Sequence, residues 1–308
     1  MNLTPTFITN ITNAFGAEGQ RYLADLPNLL DEAARRWELT LGEPFLLSYN
    51  YVCAATRLER SATQSKDVVL KIGVPNRELT SEMEALRLYN GRGAVRLIDS
   101  DAERGMILLE RLRPGTMLVE LQAQDDAQAT EIAAGVMKSM WNPPPAQNHF
   151  IQLTDWFGEL KHLRPRFNGM TGPLPKQVVE TAEGYIRELF AENEPPVVLH
   201  GDFHHYNVLK SGDEWLVIDP KGVIGARGYE VGPLLTNPLL GYFGFPNEKR
   251  RTERRLAILA ERLELEREYL RRWGVAHCLL SGWWDLDEHG AGWEDALHWA
   301  EVLMECRQ

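Results

Sequence analysis

Cysteine is scarce: Cys53, Cys278 and Cys306 are the only three in 308 residues, far apart and without a Cys-x-x-Cys pair. That pattern excludes a disulfide framework or a zinc ribbon and points to a reducing compartment. No apolar run approaches the roughly 20 residues that cross a bilayer. The opening Met1-Asn-Leu-Thr-Pro-Thr6 lacks a basic segment leading into an apolar stretch. A cytoplasmic protein without a membrane partner is expected. Positive charge is in deficit too, with 33 Lys and Arg against 44 Asp and Glu, a net charge of −11. This argues against nucleic acid as a partner. It suits a cationic ligand better, although solubility alone accounts for acidic surfaces. Repeats and low-complexity segments are absent.

What remains is an ordinary globular composition, 44% hydrophobic and 25% charged, in a chain long enough for one large domain or two lobes. Residues 16 to 40 carry Tyr22, Leu23, Leu26, Leu29, Leu30, Ala33 and Trp37 at helical spacing, with Pro27 expected to start or kink the helix. The pattern then turns to β-rich runs at Phe45 to Val52 and Val68 to Ile72, separated by a polar turn from Arg57 to Asp67. A helix from Glu78 to Tyr89, stopped by Gly91-Arg-Gly93, precedes further strands at Val95 to Leu97 and Met106 to Leu109. Beyond Arg113-Pro-Gly115 nearly everything reads as helix: 125 to 141 ended by Asn142-Pro-Pro-Pro145, and 176 to 193 ended by Asn193-Glu-Pro-Pro196. Glu248 to Trp273 reads as one long charged helix burying Leu256, Leu259, Leu263 and Leu270. The expectation is an α+β, bilobal fold. Residues 1–112, with the leading helical segment 16–40, form a small lobe around an antiparallel sheet, and residues 113–308 form a larger, mainly helical lobe.

The exception to that helical half is the run Val197-Val-Leu-His-Gly-Asp-Phe-His-His-Tyr-Asn-Val-Leu209, followed by Trp215-Leu-Val-Ile-Asp-Pro-Lys-Gly222. One apolar strand delivers Asp202 into a loop, Asn207 leaves that loop, and a second strand ends on Asp219. Phosphoryl transfer from ATP needs a carboxylate facing the acceptor hydroxyl and hard oxygen ligands for Mg²⁺. Asp202 fits the first role. Asn207 and Asp219 fit the second, since phosphates and water complete an octahedral shell around two protein oxygens. This is the order of a kinase catalytic loop and its metal-binding aspartate.

The string His200-Gly-Asp-Phe-His-His-Tyr-Asn207 resembles the aminoglycoside phosphotransferases, in which histidine-glycine-aspartate stands where protein kinases have histidine-arginine-aspartate. Asp219-Pro-Lys-Gly222, with Val69-Leu-Lys-Ile-Gly73, Asn90-Gly-Arg-Gly-Ala-Val95 and Leu108-Leu-Glu-Arg-Leu-Arg-Pro-Gly115, resembles the branch containing streptomycin kinases and hydroxyurea phosphotransferases. The similarity runs from about residue 45 to about residue 240. It implies a protein-kinase-like fold and a Mg²⁺- and ATP-dependent enzyme acting, as a monomer or weak dimer, on a small-molecule hydroxyl acceptor, with a streptomycin-like aminoglycoside or hydroxyurea as the favoured acceptor and antibiotic inactivation as the outcome. It further implies that Lys71 holds the α- and β-phosphates, that Glu82 orients Lys71, and that Arg111 and Leu112 form the hinge against adenine. Glu84 competes for the glutamate role. Side chains two apart on a helix point about 200° from each other, so only one of the two can face Lys71. One departure stands out: the expected first hairpin, Leu46 to Arg57, has no glycine, so no glycine-rich turn covers the phosphates.

Lys221, two residues after Asp219, either stabilises the transferred phosphoryl group or pairs with a surface carboxylate. His205, Glu230, Asn237, Asp285, Asp287 and Glu288 are candidate ligands for a cationic acceptor, though acids on helices are commonly just solvated. Trp283-Trp284 either walls that pocket or completes a helical core. A kinase of an unrelated small metabolite is an alternative reading, and two functions of other classes are open. One is a nucleotide-binding protein without turnover; the other is a metal-dependent hydrolase using His200, His204 and His205, which leaves Lys71, Asn207 and Asp219 without a role.

Overall fold

The computed structural model describes residues 3–58, 65–192, 194–237 and 247–306. Helix α1 spans Pro5–Trp37, with Thr4 accepting the Phe7 amide and a proline in the first turn. It begins well before residue 16, bends at Gly16 (φ 53°) and carries Pro27 inside it. The left-handed glycine rotates the apolar face between Phe7, Ile11 and the stripe from Tyr22 to Trp37, so no single period runs through both parts.

Strands β1 (Leu39–Pro44), β2 (Tyr51–Leu58) and β3 (Ser65–Ile72) lead into α2 (Arg77–Tyr89), followed by β4 (Leu97–Asp101) and β5 (Met106–Glu110). They form one antiparallel sheet in the order β1-β2-β3-β5-β4. The expected strand Phe45 to Val52 is corrected here. Residues 45 to 50 are the β1–β2 connection, with Leu46 98% exposed. The first strand is the mostly exposed Leu39–Pro44, which buries too little for its hydrophobic pattern to mark it. The hairpin therefore does contain a glycine, Gly42, but in β1 against the Ala54 carbonyl. The strand expected from Val95 starts at Leu97, and residues 59–64 of the expected turn lie outside the described residues.

Alternation along the strands separates the two faces of this sheet. Tyr51, Cys53, Ala55, Val68, Leu70, Ile72, Met106 and Leu108 pack with α1 in one apolar cluster. Ile107 and Leu109 belong to a second cluster that runs through α2 into the rest of the chain. Lys71, one residue out of phase with Leu70 and Ile72, shares that second face.

The remainder comprises β6 (Pro114–Met117), α3 (Leu118–Gln122), α4 (Asp126–Met140), β7 (Ile151–Gln152), α5 (Leu153–Gly158), α6 (Leu163–Arg166) and α7 (Lys176–Ala191). Then come β8 (Val197–Leu199), β9 (Val208–Ser211), β10 (Glu214–Val217), β11 (Val223–Gly225), α8 (Val231–Thr236), α9 (Glu248–Leu263), α10 (Arg267–Glu288) and α11 (Trp293–Glu305). Asn193, the expected stop of α7, lies outside the described residues. The long helix expected from Glu248 to Trp273 is two: Glu264, at φ 58°, closes α9, and Leu270 belongs to α10. No glycine or proline marks that break. Two small sheets, β10-β9-β6 and β7-β11-β8, hold the ends of the strands that carry the motif. Among the described residues no helix is long and apolar enough to cross a membrane.

Candidate active site

The loop after β8 is built around Gly201 (φ 86°), where a Cβ would lie 2.8 Å from Val223 and 3.0 Å from the Trp156 ring. The backbone amides of His200 and Gly201 both donate to the Glu230 carboxylate, at 2.8 and 2.9 Å. The His200 ring donates from Nε2 to the Ile218 carbonyl (2.9 Å) and accepts the Asp202 amide at Nδ1 (3.2 Å). Those partners fix its neutral tautomer, and burial pushes its pKa down to about 4. Burial alone would raise the Asp202 carboxyl, but His204 and Lys221 hold it well below the usual carboxylate range. His204 Nε2 sits 3.6 Å from Asp202 Oδ1 and 3.3 Å from Asn207 Nδ2. Asn207 Nδ2 also donates to the Asp202 carbonyl at 3.1 Å, which fixes the orientation of the amide.

The amide of Ile218 donates to the Asn207 carbonyl at 2.9 Å, drawing the end of β10 against the start of β9. Asp219 follows in the left-handed region, φ 63°. Lys71 Nζ reaches it from β3 and donates to Glu82 Oε1 and Oε2 at 2.7 and 2.6 Å, with a third bond to Asp219 Oδ1. Burial would discharge Lys71, but the two carboxylates keep it an ammonium. Glu84 faces elsewhere, accepting the His149 amide (3.0 Å) and meeting its ring (2.7 Å), so Glu82 is the partner. Ser81 Oγ donates to the Gly222 carbonyl at 2.6 Å. A Cβ on Gly222 (φ 64°) would lie 2.6 Å from the Ser81 carbonyl, so α2 is packed directly on the Asp219 loop. Lys221 donates its amide to the His200 carbonyl (2.7 Å). Burial would lower the pKa of its side chain, and Asp219 with Asp202 raise it.

Arg111 and Leu112 connect β5 to β6. Leu112 is buried, and the Arg111 guanidinium lies 5.6 Å from the centre of the Phe45 ring. Most of the acceptor candidates stand elsewhere. Glu230 is wholly buried as the clamp on the 200–201 amides. His205 is also wholly buried, and its ring nitrogens have no partner among the described residues. Asn237 donates to the Pro233 carbonyl (2.9 Å) and its own carbonyl accepts from Arg255 (2.9 Å). Asp287 is ion-paired with Arg166. Asp285 remains: half-buried on α10, its carboxyl is pushed up to about 6 by burial and neighbouring acids. Trp284 packs edge-on against Trp156, 5.4 Å between ring centres, while Trp283 is buried in the helical core. Ser81 and Trp156 shape the site without having been singled out as site residues, and His204, expected only as a candidate metal ligand, stands beside Asp202 and Asn207. Of these only Ser81, adjacent to Glu82, carried a usable local signal. Among the described residues no three His, Cys, Asp or Glu side chains converge as a metal site, which removes the footing of the histidine-based hydrolase.

Several known proteins are similar to this chain over most of its length. The chain is 31% identical to streptomycin 6-kinase of Streptomyces glaucescens over 92% of its own length and 90% of that protein. It is 27% identical to hydroxyurea phosphotransferase of Kitasatospora aureofaciens, over 89% and 77% of the two chains. Its fold matches the choline kinase LicA of Streptococcus pneumoniae with a TM-score of 0.61 at 12% identity, covering 92% and 98%. The family model described as aminoglycoside/hydroxyurea antibiotic resistance kinase matches residues 56–290. With a kinase-like fold and that match over most of its length, the chain belongs to the aminoglycoside/hydroxyurea antibiotic resistance kinase family.

Proposed function

We propose that the chain transfers the γ-phosphoryl group of Mg²⁺-ATP to a hydroxyl of a streptomycin-like aminoglycoside or of hydroxyurea, inactivating it. The observation that carries this reading is the contact of Lys71 with Glu82, on the adjacent element, and with Asp219, 148 residues further on, beside a loop bearing Asp202 and Asn207. Lys71, oriented by Glu82, holds the α- and β-phosphates, and the Arg111–Leu112 backbone meets the adenine edge. The residues fit a magnesium ion: Asn207 donates from Nδ2 to the Asp202 carbonyl, which leaves Oδ1 as a hard oxygen donor, and Asp219 adds an anionic one. Bound there, the ion would neutralise charge on the phosphate oxygens. Asp202 orients the acceptor hydroxyl and receives its proton. Its low pKa is compatible with that role, because a loose transition state asks for positioning more than for a strong base. Lys221, drawn to Asp202 and Asp219, offsets charge on the group in flight. The same proposal sets the lobe boundary at residues 112–113, just after the five-stranded sheet ends at Glu110, and has the enzyme working in the cytoplasm as a monomer or weak dimer.

The test is mass spectrometry of streptomycin, hydroxyurea and simple sugars after incubation with the purified chain and Mg²⁺-ATP. An added phosphate is expected on streptomycin or hydroxyurea, and Asp202→Ala should lower kcat by roughly three orders of magnitude or more with ATP affinity nearly intact. Absence of product on both compounds, or full turnover by the variant, would overturn the acceptor or the residue assignment respectively.

A further inference from the structure

Helix α10 is buried at every position from Trp273 to Trp283 except Ser281. Residues three and four apart on a helix share a face. His277, Ser281, Trp284 and Glu288 therefore form one stripe. Exposure grows along it, from 8% at His277, through half-buried Ser281 and Trp284, to exposed Glu288. On this side the buried half of α10 opens towards solvent.

Aromatic contacts join the stripe to the loop that carries Asp202. Trp156 of α5 lies 3.0 Å from the position of a Cβ on Gly201 and meets Trp284 edge-on, 5.4 Å between ring centres. Trp156 is itself half-buried, so its ring walls an opening beside the loop. Tyr229 precedes Glu230, whose carboxylate takes the Gly201 amide, and its ring centre is 6.0 Å from that of Trp156 and 5.7 Å from that of His277. The Tyr229 hydroxyl meets His277 Nδ1 at 3.3 Å. Behind the imidazole α8 packs so closely that a Cβ on Gly232 would lie 2.5 Å from the His277 Cβ. His277 Nε2 has no hydrogen-bond partner among the described residues. Burial pushes the pKa of the ring down to about 4 and keeps it neutral, one nitrogen a donor and the other an acceptor. A ring nitrogen left unpaired on a nearly buried side chain is the exception in a folded protein. Apolar walls around one placed polar group are the make-up of a small-molecule site.

We propose that His277 Nε2 bonds a second hydroxyl of the acceptor, remote from the one that faces Asp202, while the acceptor ring between them packs on Trp156 and Trp284. A hydroxyl donates and accepts, so it suits either tautomer of the imidazole. The acceptor is then a polyhydroxylated ring compound of streptomycin type. Hydroxyurea, with a single hydroxyl, cannot serve Asp202 and His277 together. The assignment deepens the phosphotransferase reading above and rests on it.

Two titrations of the full chain, neither requiring turnover, test it: Mg²⁺-ATP by thermal shift, and streptomycin by tryptophan fluorescence. His277→Ala should weaken streptomycin binding about tenfold, the worth of one hydrogen bond. His277→Gln, whose amide can stand in for Nε2, should lose about threefold or less, and both variants should keep ATP affinity within about twofold. Ser281→Trp fills the stripe without removing a core group, so it should abolish streptomycin binding and spare ATP even if His277→Ala fails to fold. Unchanged streptomycin binding in His277→Ala or Ser281→Trp, an equal loss of ATP affinity, or no binding of streptomycin by the parent would each overturn the inference. A parent that binds streptomycin without phosphorylating it refutes the phosphotransfer reading, while the role of His277 stands on the titrations. Phosphorylation of streptomycin by the parent, with equal binding in His277→Ala, refutes the role of His277 alone.

Discussion

Glu230 shows how a residue's chemistry depends on its surroundings. Its carboxylate, fully buried, takes the amides of His200 and Gly201 and so sets the path of the chain into Asp202. Burial pushes it up to about 7, and the two amides oppose that rise. Replacement by alanine leaves two buried N–H groups without acceptors, at about 1–3 kcal/mol each. Glu230→Ala should therefore lower the unfolding free energy by about 3 kcal/mol, with a fall in kcat because Asp202 is displaced. Urea denaturation read alongside turnover checks this, and a variant as stable as the parent would refute the clamp. The sequence suggested an acceptor ligand at Glu230 because an acid just after the motif looks available for binding. Nothing local revealed two amides pointing at it from thirty residues upstream.

At the scale of elements, α4 and α9 are joined by a buried ion pair. Asp126, in the first turn of α4, accepts from Arg255 Nε and Nη2 at 2.9 and 2.6 Å and from Arg254 at 3.0 Å. Arg255 also reaches the Asn237 carbonyl, tying the end of α8 to the same point. Burial would raise the carboxyl of Asp126, yet Arg255 brings it down to about 2 from 3.8. A depressed carboxylate contributes stability that is complete above pH 4 and fades as pH falls towards 2. About 2 kcal/mol of the parent's stability depends on this ionisation. The gap in unfolding free energy between parent and Asp126→Asn should accordingly narrow by that amount between pH 5 and pH 2. A gap constant across that range would assign the loss to packing. The limits of α2, α4 and α7 were readable to within a few residues, since capping Asn76 and Asp125 and the proline stops act locally. The Glu264 break and the exposed β1 were not, because neither has a breaker residue or an apolar alternation of its own.

In the whole molecule, the groups proposed to meet the nucleotide come from separate elements: Lys71 from the sheet, oriented by Glu82 of α2, and Asp219 from the loop before β11. The Ser81–Gly222 bond already holds α2 against that loop. A nucleotide bound across this junction stabilises the native state by mass action, about 2.7 kcal/mol at a hundredfold excess over Kd. Mg²⁺-ATP should thus raise the thermal midpoint, and either a chelator or Asp219→Asn should remove most of that rise. Equal stabilisation by ATP with and without magnesium would reject the metal assignment.

The candidate motif was legible from residue order because strand, loop and strand lie within 26 consecutive residues, 197 to 222. Over so short a span the backbone alone brings Asp202, Asn207 and Asp219 close together. Lys71 was legible for a related reason, as a lone cation in an apolar strand whose alternation assigns it a face. The choice of Glu82 over Glu84 and the burial of Glu230 and His205 depended on packing. Each is set by the rotation and separation of segments tens to hundreds of residues apart, and no local pattern of residues encodes those quantities.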